Sequence, residues 1–237
     1  MNLLLKKKLL IFWVILSYIP NQFIIAQSNS VITETRLDWW REARFGLFIH
    51  WGLYSVAAGE WNGKEIDGIG EWIQNFAKIP NSEYNKLVKD FTLSNYHPEE
   101  WVALAKQTGT KYIVFTAKHH EGFALYPSDA SDFNIRMTPY QKDPLKELIT
   151  ACRKAGIKVG IYYSHRQDWH EEDAAVMSNE YDGHYGKPKK EIKPNLDRYI
   201  RQKALPQVRE LLTRYGDIDL IWYDTPVSYT HLTLPTT

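Results

Sequence analysis

The chain has 237 residues, and 44% of them are hydrophobic, which is enough to bury the core of one large domain or two small ones. Its 29 Lys and Arg residues nearly balance its 28 Asp and Glu residues. This balance excludes the basic footprint of a nucleic-acid-binding protein and the charge excess of a disordered acidic chain. The single cysteine, Cys152, excludes a disulfide framework and a metal site built from several cysteines.

The two ends of the chain differ from its middle. Lys6, Lys7 and Lys8 precede an apolar run of about eleven residues, too short to span a membrane, and this pattern predicts a signal peptide over residues 1–26. We therefore expect an exported protein, periplasmic or extracellular, that is not held at a membrane after cleavage. Residues 227–237 carry no Lys, Arg, Asp or Glu and are interpreted as a non-native tail derived from a sequencing adapter.

Four short apolar runs predict β-strands within residues 27–226. Near-continuous apolar runs of this length are typical of strands that are buried on both faces of a parallel sheet. The predicted strands are Phe45–Gly52, Lys111–His120, Ile157–His165 and Ile218–Asp224.

Helical patterns separate these strands. Pro98–Gln107 is amphipathic, and Asp143–Ala155 has a proline near its start and a glycine directly after its end. Asp197–Tyr215 is long and periodic, with a kink or break predicted at Pro206. The alternation predicts an α/β fold, specifically a partial (β/α)8 TIM-like barrel with about the first four strand–helix units. No glycine-rich phosphate loop follows a predicted strand, and no cofactor is expected.

Each predicted strand ends in side chains that are capable of chemistry. The endings are His50–Trp51, Lys118–Glu121, Tyr162–His165 and Tyr223–Asp224. In a (β/α)8 barrel the active site lies at the carboxyl ends of the strands. Four such endings in succession therefore predict one shared site.

A carboxylate and an aromatic loop give this site the character of a sugar-binding cleft. Asp224 follows an apolar run, so a rigid strand would project it into the central cavity as a nucleophile or charge stabiliser. Glu71 and Trp72 lie after the first strand, where an indole face can stack on a sugar and a carboxylate can accept from its hydroxyls. Glycoside cleavage with retention requires two carboxyl groups about 5 Å apart. Asp224 can supply one, and the acid/base is either Glu71 or a residue outside this segment.

His119 and His120 allow two interpretations. One is metal ligation, but neighbouring side chains on a strand point to opposite faces, so two ligands from this pair would require a bend. The other is hydrogen bonding to sugar hydroxyls, because a neutral imidazole donates from one nitrogen and accepts at the other. We favour the second interpretation and expect no metal site.

Several longer motifs occur in a fixed order along the chain. They read WWREARFGLFIHWGLYSV, GEWI, FTAKHHEGFALYPS, GIYYS and IWYDT. Together they resemble the α-L-fucosidases of glycoside hydrolase family 29, from Leu37 to Thr225. The resemblance implies a barrel of the (β/α)8 type followed by a β-sandwich domain. It also implies hydrolysis of terminal α-L-fucosides with retention, through a covalent intermediate and without a metal.

The resemblance also assigns roles to individual residues. Asp224 corresponds to the nucleophile. The sugar contacts correspond to His50, Glu71, Trp72, His119, His120 and the first tyrosine of the YYS motif, Tyr162, with Tyr163 as the adjacent alternative. The family's acid/base and a sugar-binding arginine normally follow the nucleophile. Residues 27–226 are therefore interpreted as the N-terminal part of the catalytic barrel, inactive in isolation.

Three functions fit the sequence. The first is an exported, retaining α-L-fucosidase whose partner is a fucosylated glycan or glycoconjugate. The second is a barrel glycosidase for another sugar, such as a galactoside. The third is a glycan-binding protein without catalysis, in which the same histidines and tryptophans bind a sugar without cleaving it.

Overall fold

A computed structural model describes residues 37–174 and 191–224. The predicted signal peptide and the predicted non-native tail lie outside these residues. Within the two described ranges, no helix is both long enough and apolar enough to cross a lipid bilayer.

Contacts divide the chain into two units, one that ends at Arg44 and one that begins at Phe45. In the first unit, residues 37–43 form a helix. The indole rings of Trp39 and Trp40 meet edge to face there, with their centroids 5.6 Å apart. All elements described below belong to the second unit.

The second unit is built on a parallel sheet. In chain order its strands are β1 (Gly46–Ile49), β2 (Glu60–Trp61), β3 (Lys64–Glu65), β4 (Tyr112–Lys118), β5 (Lys158–Ser164) and β6 (Leu220–Asp224). Strands β1, β4, β5 and β6 pair in that order and all run parallel. Strands β2 and β3 form a separate antiparallel pair. The parallel order, with helices between successive strands, confirms the predicted α/β fold and is consistent with part of a barrel.

Each strand of the parallel sheet is shorter than predicted, so the histidines follow the strands instead of lying within them. The register of β4 against β5 shifts between Thr116 and Lys118, and β4 ends there. The chain then turns: the Gly122 amide donates to the His119 carbonyl, and Gly122 has a φ of +85°. A Cβ at Gly122 would lie 2.2 Å from Oδ1 of Asp168, so both the turn and the close approach require glycine.

The helices lie between the strands. In chain order they are α1 (Tyr54–Ala57), α2 (Ile73–Phe76), α3 (Asn81–Tyr84), α4 (Pro98–Gln107), α5 (Pro144–Ala155), α6 (Leu196–Tyr199) and α7 (Leu205–Arg214). Helix α5 begins with the Asp143 carboxylate accepting from the Lys146 amide over 3.0 Å, and it ends at Gly156 in a left-handed conformation. The predictions of α4 and α5 are thus confirmed to within a residue.

The third predicted helix is interrupted, in agreement with the predicted kink or break, but the interruption lies before Pro206. Helix α6 is followed by one π-helical stretch, Ile200–Ala204, and α7 begins directly after it. Pro206 lies in the first turn of α7, where its missing N–H costs no helical hydrogen bond. The irregularity therefore precedes Pro206: the π-helical stretch ends at Ala204, and regular α-helix begins one residue before the proline.

The long connection between β1 and β4 contains ordered elements in front of α4. It contains the β2–β3 hairpin and the short helices α1, α2 and α3. Single 3₁₀ turns occur at Gly70–Trp72 and Asn85–Lys89 in this connection, and at Ile135–Met137 and Glu172–Ala174 later in the chain. Glu71 and Trp72 therefore lie on a defined turn, which fixes where their side chains can reach.

Candidate active site

Asp224 lies at the carboxyl end of β6, and two side chains meet one of its oxygens. The Tyr162 hydroxyl donates to Oδ2 over 2.5 Å, and Nε2 of His120 lies 3.3 Å from the same oxygen. Strand register explains this meeting. Tyr162 pairs with Trp222 and Ser164 pairs with Asp224, so Tyr162 and Asp224 are diagonal neighbours on the same face of the sheet. The Asp224 side chain is 37% exposed, so the carboxylate is anchored while remaining accessible to a ligand.

The two neighbouring histidines converge on this carboxylate. His119 and His120 follow β4 with their ring centroids 4.2 Å apart. His119, His120 and Asp224 each offer one ligand atom, and these atoms all lie within 4.8 Å of one another. The bend that such convergence requires is present, because β4 ends at Lys118 and the chain turns after it. Two imidazoles and a carboxylate are a donor set that suits zinc as well as sugar hydroxyls.

Further aromatic rings complete one wall of the cleft. Tyr162 stacks on His119 with their centroids 5.3 Å apart, and His50 contacts both rings at 5.5 to 5.6 Å. Phe48 in turn stacks on His50 at 4.7 Å. Tyr163, the adjacent alternative to Tyr162, donates instead to the Gln207 side chain of α7 over 2.8 Å and so faces the helices.

Trp72 and Glu71 approach the cleft from their 3₁₀ turn. The Trp72 ring meets His120 edge to face at 5.3 Å, and it meets Trp169 at 5.1 Å. Trp169 is fully buried and also contacts His120 at 5.6 Å. The charge of Glu71 acts on both His120 and Tyr162, so its carboxylate lies near the cleft.

Burial keeps the polar rings of this site uncharged. It lowers the pKa of His119 well below its ordinary value, and the nearby charges of His120 and His50 add to this. It also lowers the pKa of His120, although the hydrogen bond to Asp224 opposes the change. Burial and the Asp224 carboxylate raise the pKa of Tyr162, so its hydroxyl keeps its proton. Neutral imidazoles and a phenol can both donate to and accept from the hydroxyls of a sugar.

A buried carboxyl group fixes the turn after β1. Oε1 of Glu121 accepts from the Leu53 amide over 3.1 Å, and Oε2 accepts a short hydrogen bond from the Tyr84 hydroxyl. Burial raises the pKa of Glu121 to about 8. A Cβ at Gly52 would lie 2.0 Å from Oε1 of Glu121, so this approach is open only to glycine. The contact joins the segment that carries His50 to the end of β4.

Three residues of this region were not assigned a role from the sequence, although Ser164 lies in the predicted strand ending Tyr162–His165. Trp222 lies two residues before Asp224 on the same face of β6, so the alternation of side chains along a strand could have predicted that Trp222 also faces the cleft. Ser164 bears the same relation to Tyr162 on β5. Trp169 lies in the segment after β5, and its local sequence carries no signal for a position behind Trp72.

The comparisons with known proteins agree with this geometry. A family model described as Alpha-L-fucosidase matches residues 21–233. The chain belongs to the alpha-L-fucosidase family. The resemblance seen in the sequence motifs is thereby confirmed. The family's tissue enzymes are similar to this chain: that of Macaca fascicularis is 35% identical over 79% of this chain and 38% of its own length. That of Homo sapiens is 34% identical over 78% of this chain and 38% of its own length.

Solved structures of alpha-L-fucosidases share this fold. The enzyme from Vibrio sp. strain EJY3 is 41% identical, with a TM-score of 0.75 over 81% of this chain and 32% of its own. The Lactobacillus casei enzyme in complex with its alpha-L-fucose product is 38% identical, with a TM-score of 0.76 over 83% of this chain and 64% of its own. A Bacteroides thetaiotaomicron enzyme, trapped as a covalent intermediate with 2-fluoro-fucosyl fluoride, is 34% identical, with a TM-score of 0.68 over 80% of this chain and 41% of its own.

The chain spans less than two fifths of the length of the curated relatives named above. The family match over residues 21–233 includes the β1 to β6 region and the cleft that it forms. Within this family, the roles of Asp224 and Glu71 in this chain stay predictions.

Proposed function

We propose that this protein is an α-L-fucosidase that removes terminal α-L-fucose from glycans with retention of configuration. The proposal rests above all on Asp224. Its carboxylate stands at the end of a parallel strand, with Oδ2 held by Tyr162 and close to the imidazole of His120. A carboxylate with one oxygen fixed can present the other to a sugar carbon, which is what a glycosidase nucleophile requires.

The proposed reaction has two steps. Oδ1 of Asp224 attacks the anomeric carbon of fucose, the bond to the leaving oxygen breaks, and a carboxylic acid gives that oxygen its proton. Water then attacks the same carbon and loses a proton to the resulting carboxylate, which frees fucose and restores Asp224. Within the described residues, Glu71 is the candidate for this acid and base. Tyr162 donates to Oδ2 in both steps and orients the carboxylate.

The remaining residues of the cleft bind the sugar. His50, His119 and His120 offer both donors and acceptors to the ring hydroxyls. Trp72 supplies an indole for the apolar face of the sugar, supported from behind by Trp169. These contacts position the anomeric carbon against Asp224, and such positioning supplies a large share of the rate of enzymatic reactions.

Labelling with 2-fluoro-fucosyl fluoride tests the nucleophile directly. Fluoride leaves without needing a proton, so this reagent reports the first step alone, even where the expected lack of a general acid prevents turnover of a glycoside. We expect one covalent adduct per chain, located by peptide mass spectrometry on Asp224, and none in Asp224→Asn. The Glu71→Gln variant should still be labelled, because its carboxyl group is not the attacking one. Undiminished labelling of Asp224→Asn would refute the assignment.

The same assay separates the two other functions. A fluorinated galactosyl fluoride tests a galactosidase, and we expect it to label more slowly. Fucose carries a methyl group where galactose carries a hydroxymethyl group, and the half-exposed Trp222 ring lies 5.3 Å from Phe48 at this end of the sheet. Fucose binding measured by calorimetry, without labelling by either fluoride, would indicate a glycan-binding protein without catalysis.

We also propose that the protein is exported. Lys6–Lys8 and the apolar run after them support this, because a basic stretch before a short apolar segment directs secretion. Expression of the full chain in a bacterial host tests it. We expect N-terminal sequencing of the periplasmic or secreted product to begin after Ala26, and a product that keeps Met1 and stays in the cytoplasm would contradict export.

A further inference from the structure

His119, His120 and Asp224 bring three potential metal ligands together at the carboxyl end of the sheet. Each side chain offers one ligand atom, and these atoms all lie within 4.8 Å of one another. In the described ranges, no other group of three or more His, Cys, Asp or Glu side chains converges in this way. Both histidines are buried and their rings contact each other, so the fold assembles the set without any ion.

We propose that these three side chains bind a zinc ion that inhibits the protein. Nε2 of His120 lies 3.3 Å from Oδ2 of Asp224. In a tetrahedral zinc site with bonds of about 2.0 to 2.1 Å, neighbouring ligand atoms are about 3.3 to 3.4 Å apart. This pair is therefore already spaced as two zinc ligands are. Two imidazoles and a carboxylate, with water as the fourth ligand, are a donor set of known zinc sites. The proposal revises the expectation from the sequence that no metal site is present.

Zinc takes the place of the proton between His120 and Asp224. Without the ion, the neutral ring donates from Nε2 to the carboxylate, which can only accept. Zinc binds the lone pair of Nε2, so the ring then holds its proton on Nδ1. Nδ1 lies 2.7 Å from Oγ of Ser164, and a hydroxyl both donates and accepts, so this contact persists in either state. Oδ2 has more than one lone pair and can keep its hydrogen bond from Tyr162.

His119 completes the set by a short movement. Because the three ligand atoms lie within 4.8 Å of one another, its ligand atom must approach the other two by no more than about 1.5 Å to reach tetrahedral spacing. Nδ1 of His119 is buried and has no hydrogen-bond partner among the residues that the structure describes. The ring is packed against His50, Tyr54 and Tyr162. The movement therefore breaks no hydrogen bond at Nδ1.

The surroundings of this set admit a cation. The Asp224 side chain is 37% exposed, so an ion can enter from solvent and keep a water molecule as its fourth ligand. The Glu71 carboxylate acts on His120 and adds a second negative charge. Lys118 also acts on His120, but its ammonium group is paired with Asp168 over 3.2 Å, which offsets its repulsion of an incoming cation.

The inhibition rests on the proposed function. Zinc on Oδ2 draws negative charge away from Asp224, the proposed nucleophile. His119 and His120 then face the ion and are lost to the hydroxyls of the sugar. We therefore expect zinc and fucose to exclude each other. The proposed reaction uses no metal, so the ion acts on it as a reversible inhibitor.

Calorimetry with Zn²⁺ tests the site without any substrate. The full chain is used without an affinity tag, after EDTA treatment and removal of the chelator, and we expect one ion per chain. Asp224→Asn and His120→Gln each remove a ligand. Each should weaken binding by more than about a hundredfold, because the loss of an outer partner of a ligand already costs about tenfold to a hundredfold.

His97→Gln is the matched control. His97 is exposed and lies directly before α4, so its replacement should leave the affinity for zinc unchanged. Co²⁺ used in place of Zn²⁺ reports the geometry, because tetrahedral Co²⁺ absorbs visible light far more strongly than octahedral Co²⁺. We expect this absorption in the wild type and its loss in Asp224→Asn. Equal zinc affinities in the wild type and in both ligand variants would overturn the site.

Labelling by 2-fluoro-fucosyl fluoride tests the inhibition. Zn²⁺ should slow the labelling of the wild type in proportion to the fraction of chains that hold the ion, and EDTA should restore the rate. Fucose should raise the apparent Kd for zinc in calorimetry. Labelling at the full rate by zinc-loaded protein would overturn the inhibition. Zinc binding that depends on Asp224 and His120, in a chain that the fluoride does not label, would support the site and contradict the proposed function alone.

Discussion

Replacing Asp168 by Asn should destabilise the protein far more than its single lost charge suggests. Asp168 is fully buried, and Oδ2 lies 3.2 Å from Nζ of Lys118 and 2.9 Å from Nζ of Lys203. Lys118 also donates to the Tyr199 hydroxyl over 3.0 Å, and Lys203 reaches Glu171 over 2.9 Å. This buried network joins the end of β4, the segment after β5 and the π-helical stretch.

The expected loss follows from burial. Removing one partner of a buried ion pair leaves a charge without compensation and costs about 3 to 5 kcal/mol. Burial already lowers the pKa of Lys118 to about 8, so this lysine can release its proton when Asp168 is replaced, and the loss should lie toward 3 kcal/mol. Small domains unfold at a total cost of about 5 to 15 kcal/mol, so this is a large share of the stability.

Urea denaturation followed by tryptophan fluorescence measures this loss. Glu83→Gln is the matched control, because Glu83 pairs with Lys86 at 2.7 Å but both side chains are at least half exposed. An exposed pair contributes about 0 to 1 kcal/mol, so the control should unfold almost like the wild type. Equal losses in the two variants would refute the reasoning. If Asp168→Asn does not fold, adding Lys118→Met should restore folding, because Lys118 loses its carboxylate partner whereas Lys203 still pairs with Glu171.

Acidification gives a second measure of the same network. Burial alone would raise the pKa of Asp168, but the charges of Lys118 and Lys203 outweigh it and hold this pKa below its ordinary value. A carboxyl group with a lowered pKa in the folded state stabilises the protein above about pH 4, and this contribution is lost as the pH falls further. The wild type should therefore lose stability below that pH, and Asp168→Asn should show a shallower decrease.

Three further predictions concern the cleft. Tyr162→Phe removes the hydrogen bond to Asp224 and should slow labelling by about tenfold to a hundredfold, measured as adduct formation over time. Trp222→Ala should weaken fucose binding measured by calorimetry. Tyr223→Ala is the control, because Tyr223 is about equally exposed but lies on the opposite face of β6, and it should leave binding unchanged. Equal effects of the two substitutions would contradict the assigned faces. Because the pKa of Glu121 is raised to about 8, the unfolding free energy of the wild type should fall as the pH rises from about 4.5 to 8. Glu121→Gln should flatten this dependence, measured by urea titrations at several pH values.

The sequence predicted the framework well because the framework depends on local patterns. Apolar runs indicated the four parallel strands, and proline and glycine at the ends indicated α4 and α5. A kink or break in the last helix was predicted, but its π-helical form was not, since Pro206 shows only where a hydrogen bond is missing. How the chain absorbs the missing bond depends on packing around the buried Lys203 and Ala204.

The residues that face the cleft were predictable only where a strand fixes their direction. Asp224 and Tyr162 lie on regular strands, so alternation and register bring them together. His119 and His120 lie past the end of β4, where alternation no longer applies, and the bend that the strand-based argument required brings them together. The convergence depends on Gly122, whose turn allows Asp168 to approach the backbone.

The contacts of Asp168 connect the stability of the fold to the geometry of the cleft. The carboxylate that neutralises Lys118 also accepts from the His170 amide over 3.1 Å, and it leaves no space for a side chain at Gly122. The Trp169 amide, next along the chain, donates to the His120 carbonyl. The segment that carries Asp168 is thus bound to the turn that carries the histidines. A substitution that loosens this network should disturb the His120–Asp224 distance before it unfolds the sheet.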